Sequence, residues 1–559
     1  MTDFSKLKYI PPDTAEIHDQ LRKIRLRMRM SLSAESIVSS LTDLDQLLRE
    51  LSEKYLICQI YYAQQPEDEY WQRQYESFLL WFPLFKISLQ ETLSVLVDHR
   101  SSQSIAELAG DNVFRITKSL LATSVSSVSS EQQELMQCRL NYVRLIEELG
   151  LLPGGFFQPG YLLKRQLTQL DGERRKASFL KFVQAFQLRK EELLQLYLRI
   201  LVLQRQISHK LGYARITDYL DKERQLVTTV SGSLESNFAH TLRRHFLPIQ
   251  YELRRQQALR LGMDSLAIWD RWFPTPEGLP APDKENNNLE TIKLCLNDLF
   301  DDEADFLLEA LTMTEEIARA EDYERINRPS FHFPVSDLPF MAFYLSPEGY
   351  HTYQLFYEAG CLCADTAAFR NRVNLFSWHP DREIREVCGV AIETLSSAFC
   401  TAILGDQAEN AYDIRLIEVV QELMTAAALT LFEQEVFSLA NPEEGDLPEI
   451  WSRFELGSGI SGPPWNDSDN IWDGYGFLLQ PALFLYPLQH LSKARAYVRI
   501  WSFKPFSRQG AHRLGTALSN LLAGDTARSD QLSQAGFSQP LTDLDLKLAA
   551  FNLCDRLQL

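Results

Sequence analysis

Histidine-glutamate pairs are absent from this 559-residue chain: its ten histidines are followed by Asp, Arg, Lys, Thr, Phe, Phe, Thr, Pro, Leu and Arg in turn. That absence excludes a His-Glu-x-x-His helix, in which two histidines one turn apart bind Zn²⁺ and the glutamate between them deprotonates the metal-bound water. Cysteine is scarce too. Eight cysteines are too few for a disulfide scaffold, and no Cys-x-x-Cys pair offers a structural zinc or redox motif, Cys361 and Cys363 being separated by a single residue. Long apolar runs are missing: no window holds about 18 uncharged apolar residues, and the start, MTDFSKLKYIPPDTAE, has no apolar signal core. Basic residues are in deficit, 56 against 75 acidic ones for a formal charge of -19, which opposes attraction to phosphate backbones and anionic bilayers. The expectation is a soluble cytoplasmic protein without nucleic acid or membrane partners.

What the chain does have is helical periodicity. From Asp13 to Leu51 the apolar residues Ile17, Leu21, Ile24 and Met28, then Leu41, Leu44, Leu47 and Leu48, recur at three- and four-residue steps behind the start signal Pro11-Pro12-Asp13. Between Glu191 and Leu211 a stripe of Leu194, Tyr197, Leu198, Leu201 and Ile207 predicts a core-facing helix that ends at Gly212. Similar patterns cover roughly residues 69 to 98, 131 to 150, 230 to 261, 289 to 320, 381 to 405, 410 to 440 and 540 to 556. Only Pro339 to Leu345 reads as strand. The fold class is therefore mainly α with a minor β element. Breaks fall at Pro153–Gly160, at the Pro-rich and then polar stretch Pro274–Asn288, at Asn441–Glu449 and at Gly457–Gly476. The first divides the chain into an N-terminal helical domain, 1–160, and a larger helical domain, 161–559, and no repeat of 20 to 50 residues suggests a solenoid.

One segment bears on chemistry. Tyr357-Glu358-Ala359-Gly360-Cys361 reads as a His-Glu-x-Gly-His helix in which both histidines are replaced while the glutamate stays. Its surroundings carry a resemblance. LRILVLQRQISHKLGYARITDYL (198–220) resembles M3-family oligoendopeptidases where a helix leads through a Lys-x-Leu-Gly-Tyr turn into a short helix. HFLPIQYELRRQQALRLGMDSLAIWDRWFPTPEGLP, within 230–280, is similar to that family's next block. RPSFHFPVSDLPFMAFYLSPEGYHTYQLFYEAG, after Ile326, is similar to its edge strand and zinc-binding helix. The resemblance covers roughly 190–555 and, more weakly, the N-terminal helices.

It implies a bilobed helical M3-peptidase-like, zincin-related fold around a deep central channel that admits short peptides. Residue by residue, it sets Tyr357 at the first zinc ligand, Glu358 at the general base and Cys361 at the second ligand. Glu393, in Ile392-Glu393-Thr394-Leu395-Ser396, stands at the third, with Glu386 as the competing choice. It also implies that groups holding the tetrahedral oxyanion are lost, with Gly476 at the family's histidine and Leu483 and Phe484 at its tyrosines.

Each candidate has a plainer reading. Glu358 is a relic of a base or a carboxylate held by a neighbouring arginine. Tyr357 and Cys361 share a helix face and either pack or, as phenolate and thiolate, ligate an atypical metal with Glu393. Tyrosine titrates near 10, which makes it a poor substitute for imidazole. Cys361, Cys363, Cys388 and Cys400, with His351 and His379 near in sequence, would need a positioned base to act as nucleophiles. His332, His351 and His379 could rebuild a metal site with Glu358 or Glu393. The loop Gly457–Gly476, with Trp465, Trp472 and Tyr475, is either a binding lid or a surface loop with aromatic anchors. The expectation is a pseudopeptidase with no cofactor that binds a short peptide or a protein partner. The alternatives are a zinc metalloendopeptidase with atypical ligands and a non-proteolytic enzyme that reuses the cleft.

Overall fold

The computed structural model describes residues 7–559 except 98, 154–155, 226–234, 274–289, 292, 295–296, 298–313, 318, 327, 345–351, 373, 399, 441, 461–470 and 529. Helix dominates the described residues, and the minor β element is one three-stranded sheet. Asp13 caps the first helix, Thr14–Met30, its Oδ1 accepting from the amides of Ala15 and Glu16, and Ile17, Leu21, Ile24 and Met28 form the buried face that their spacing predicts. The helix expected from Glu191 starts earlier, at Gly172, and runs to Lys210. Asp171 caps it, and Phe179, Phe182 and Phe186 extend the same buried stripe toward its start. Gly212, at φ 80°, stops it where a side chain would be strained. The short helix implied after the Leu-Gly-Tyr turn is Ile216–Arg224. Most of the helix expected at 289–320 lies outside the described residues. Its end instead contributes strand β1, Thr314–Glu316.

The sheet has two strands beyond the one read at Pro339–Leu345, β1 and a strand at Ser330–Phe333. Strand β2 (Ser330–Phe333) pairs antiparallel with β3 (Leu338–Phe343), and β1 pairs with β3 in parallel, so the order is β1-β3-β2. The strand read from Pro339 onward is therefore central, and Ser330–Phe333, earlier in the same block, is an edge. Phe340, Met341 and Ala342 are buried on both of its faces, as a covered strand requires.

Two large hydrophobic cores organise the rest. One joins residues from 128 to 220 with 428 to 488, so the helices Ser129–Glu148 and Gly172–Lys210 share a core across the 160/161 division expected from the sequence. The other joins Ala239–Leu253, the helices Thr352–Arg370 and Arg382–Leu395, much of Ala408–Ser438, and the chain from Leu491 to Leu553. Smaller cores hold the N-terminal helices together and seat the sheet against Leu56, Ile57 and Ile60.

The helix Thr352–Arg370, called here the motif helix, is buried almost all round, as its near-continuous run of Ala, Cys, Leu and Phe dictates. It packs against the facing helix, Arg382–Leu395, which Asp381 caps through the amide of Glu383. The two backbones approach through glycine. A Cβ on Gly360 would lie 2.3 Å from the carbonyl oxygen of Cys388, and one on Gly389 would lie 2.7 Å from the Tyr357 ring and 2.9 Å from Cys361 Sγ. Glu383, wholly buried on the facing helix, is gripped by Arg495, whose Nη2 donates to Oε1, and by Arg499 Nη1 at 2.9 Å from Oε2.

Gly360→Ala tests the close approach. Alanine raises helix propensity by about 1 kcal/mol, yet the new methyl meets a backbone carbonyl that cannot rotate away. A net loss of about 1–3 kcal/mol in urea unfolding is expected, and unchanged or higher stability would contradict the packing.

Candidate functional site

The glycine contact sets the motif positions against the facing helix. Tyr357 Oη donates to Glu386 Oε2 at 2.7 Å. Cys361, fully buried, turns its Sγ to the carbonyl of Arg385 at 3.7 Å. Glu358 Oε2 accepts from Ser330 Oγ of β2 at 2.5 Å and lies 3.8 Å from Arg385 Nη2. Arg385 also donates to Asp365 Oδ2 at 3.1 Å and to the Ser330 carbonyl at 3.0 Å, and Arg328 pairs with Asp365 from the other side. Glu358 is thus a buried carboxylate beside a guanidinium. Burial raises its pKa, and Arg385 and Ser330 pull against that rise.

Glu393 is elsewhere. It accepts from Arg415 Nε at 2.7 Å and from Tyr497 Oη at 2.8 Å, so Glu386, the competing choice, is the carboxylate that meets Tyr357. Lys493 lies between these groups. Its Nζ is 4.8 Å from the centre of the Tyr357 ring and 3.3 Å from Glu422 Oε2, and it feels the fields of Glu393 and Glu386. Arg415 Nη1 donates to Glu422 Oε1 at 3.0 Å. Burial alone would raise the Glu422 carboxyl, but Lys493 and Arg415 outweigh it and hold the group at about 2.

A zinc ion does not fit these donors. Burial, followed by nearby Cys361 and Glu386, drives the Tyr357 phenol well above its ordinary value. Burial likewise drives the Cys361 thiol well up. To ligate zinc, both side chains would have to give up their protons and Tyr357 its bond to Glu386. The Lys493 ammonium is already against the Tyr357 ring. Among the described residues no three His, Cys, Asp or Glu side chains converge as a metal site.

The other candidates are dispersed. His332 is buried, stacks on Phe369 at 4.2 Å between centroids, and bonds Asp337 through Nε2. Burial, then Arg328 and Arg385, pushes the His379 pKa well down. His351 and Trp465 lie outside the described residues. Cys363, Cys388 and Cys400 are buried, and burial raises each thiol. Leu483 and Phe484 are core residues, Phe484 stacking on Tyr142 at 3.6 Å, and Gly476 is packed under Trp451 and Glu455. Trp472 is an anchor wedged among Phe157, Phe179, Phe182 and Phe186, and Tyr475 takes Lys190 over its ring at 4.6 Å.

Tyr357 and Glu358 line a cavity of about 360 Å³ together with Tyr353, Gln354, Arg415, Glu422 and Lys493, while Gly476, Leu483 and Phe484 do not. Arg254, Gln257, Arg271, Trp272 and Phe157 line the same cavity. Sequence reasoning missed Lys493, Arg415, Glu422 and Arg385. They become neighbours of the motif only through folding, and no local pattern marks them.

Glu422 gives a pH test. A carboxyl whose folded pKa, about 2, lies below its ordinary 4.5 adds stability above 4.5 that is lost as the pH falls toward 2. Wild-type protein should lose on the order of 3 kcal/mol more between pH 4.5 and 2 than Glu422→Gln does, measured by urea unfolding. Equal losses would contradict the pairing with Lys493 and Arg415.

Comparison with known proteins supplies the wider frame. Residues 4–124 match the family described as the peptidase M3 N-terminal domain. None of the curated proteins matches the chain by sequence. Among solved structures, a protein assigned as oligoendopeptidase F superposes with a TM-score of 0.87 at 17% identity, over 100% of this chain and 99% of its own. PZ peptidase A, solved with an inhibitor, gives 0.86 at 17% identity, covering 100% and 99%. Oligoendopeptidase F from Enterococcus faecium gives 0.63 at 11% identity, covering 97% and 96%. Residues 4–124 thus resemble the peptidase M3 N-terminal domain in sequence, and the chain as a whole has the fold of the oligoendopeptidase F-type structures.

Proposed function

We propose that this chain is a pseudopeptidase: it keeps the oligoendopeptidase fold and cleft, holds no catalytic zinc, and binds a short peptide or a protein partner. The observation that carries the reading is the mutual satisfaction of the groups at the ligand positions. Tyr357 bonds Glu386, Cys361 faces a backbone carbonyl, and Lys493 covers the phenol ring. Glu358, at the base position, is held by the Ser330 hydroxyl and lies beside Arg385. Fixed cations already balance the carboxylates that a metal would otherwise neutralise.

The cleft supports the binding half of the reading. A cavity of about 360 Å³ with aromatic walls and side-chain amides from Gln158 and Gln421 suits a short extended peptide. Among the described residues no helix is long and apolar enough to cross a membrane. The competing reading, a zinc peptidase with atypical ligands, needs the Tyr357–Glu386 bond broken and the Lys493 ammonium moved off the phenol ring.

Elemental mass spectrometry of purified, untagged protein should find close to no zinc, and a quenched fluorescent peptide should stay intact with or without added zinc. Stoichiometric zinc with chelator-sensitive cleavage would overturn the proposal. Restoring imidazole offers a second check. The double variant Tyr357→His, Cys361→His puts two histidines one turn apart opposite Glu386, the donor set of a catalytic zinc site. It should take up zinc that wild type does not, and failure to do so would mean that Tyr357, Cys361 and Glu386 do not mark the old ligand positions.

A further inference from the structure

Beside the motif helix, Lys493 stands further open to the cleft than its partners. Its side chain is 32% exposed, against 17% for Arg415 and 16% for Glu422, and it lines the cavity next to Tyr357 and Glu358. Its Nζ lies 3.3 Å from Glu422 Oε2 and 4.8 Å from the centre of the Tyr357 ring. Burial would lower its pKa, but nearby carboxylates, Glu422 foremost, outweigh burial and raise it, so the group is an ammonium with three N–H donors. Glu422 takes one of them.

The surrounding charge decides what a second donor can take. Lys493 and Arg415 sit among four carboxylates, Glu386, Glu393, Glu418 and Glu422. Another carboxylate brought to Lys493 would meet that negative field, whereas a neutral carbonyl oxygen can accept from the ammonium without such repulsion.

Two carboxylates on one face of the helix Ala408–Ser438 hold the lysine in place. Glu422 takes the ammonium, and Glu433, about three turns further on, holds the turn that leads into the helix Ser492–Ser502. Glu433 Oε2 accepts from the amide of Leu488 at 2.7 Å and lies 2.7 Å from His490 Nε2, and Leu488 has a left-handed φ of 57°. Arg382, at the start of the facing helix, donates to the Gln489 side chain between them. The turn is clamped from both sides. Lys493 stands in the first turn of its own helix, where the dipole opposes a positive charge, so its placement depends on Glu422 and on this clamp.

We propose that the Lys493 ammonium donates a hydrogen bond to a main-chain carbonyl of the peptide held in the cleft, and that this bond sets where along its length the peptide is gripped. A peptide lying along Tyr353, Tyr357 and Glu358, which line the cavity with Lys493, brings its carbonyls past the ammonium. The inference rests on the cleft being a peptide site and adds the group that the site reads.

The test pairs changes in the protein with changes in the ligand. Equilibrium dialysis of the full chain against a pentapeptide mixture, read by mass spectrometry, selects the best-retained sequence. That peptide is then remade with each main-chain carbonyl in turn as a thiocarbonyl, a weaker acceptor, and titrated by calorimetry. Wild type should lose about fivefold to tenfold in affinity at one position and little at the others. Lys493→Met, in which Glu422 keeps Arg415 as a partner, should bind the parent peptide about tenfold to a hundredfold more weakly and no longer distinguish that thiocarbonyl. Lys493→Arg should keep part of the affinity. A flat scan with wild type, which needs no variant, would overturn this inference while leaving peptide binding intact. A position-specific loss that persists in Lys493→Met would overturn it too, by giving the carbonyl to another donor. Retention of no peptide would overturn both this inference and the peptide-site reading.

Discussion

The close contact between the motif helix and the facing helix governs the site. Helices ordinarily pack 8–10 Å apart, and Gly360 and Gly389 let these two come near enough that one backbone meets the other's side chains. At that distance Tyr357 reaches Glu386, Cys361 reaches the Arg385 carbonyl, and Arg385 spans Glu358, Asp365 and Ser330. The sheet enters the same arrangement, because Ser330 at the start of β2 is the hydroxyl that bonds Glu358.

Charge balance follows from that geometry. Buried carboxylates need partners, and this chain supplies them from within, through Arg385 for Glu358 and Asp365, Arg415 for Glu393, and Lys493 for Glu422. Arg495 and Arg499 do the same for Glu383 deeper in the core. Removing one member of such a set would strand the rest, so the cluster resists piecemeal change. Under the proposed reading, fixed side-chain cations hold the cleft in place of an ion, and the fold persists apart from its chemistry.

Much of the fold was legible in the sequence because helix faces repeat locally. Asp13 as a cap, the stripe through Ile17 and Met28, the stop at Gly212 and the strand at Pro339 each depend on neighbours a few residues away. The early start of Gly172–Lys210 escaped because Asp171 and three phenylalanines continue the pattern past a charged stretch. The site was half legible. Tyr357, Glu358 and Cys361 share one helix and one motif, whereas the choice between Glu386 and Glu393, both on the facing helix, turns on which one points at Tyr357. Gly476, Leu483 and Phe484 carry no local sign that they join a core instead of a cleft. Lys493 and the arginines at 254 and 271 meet their neighbours across long stretches of chain, so only the folded structure reveals them.

The central claim is that built-in cations and protonated side chains fill the place of a catalytic metal. X-ray diffraction from crystals grown with excess zinc, with anomalous data collected at the zinc absorption edge, tests it most directly. The account predicts no anomalous peak among Tyr357, Cys361 and Glu386, with the Lys493 ammonium still over the phenol ring. A peak there, with Lys493 swung away and Tyr357 or Cys361 within bonding distance of the ion, would contradict it.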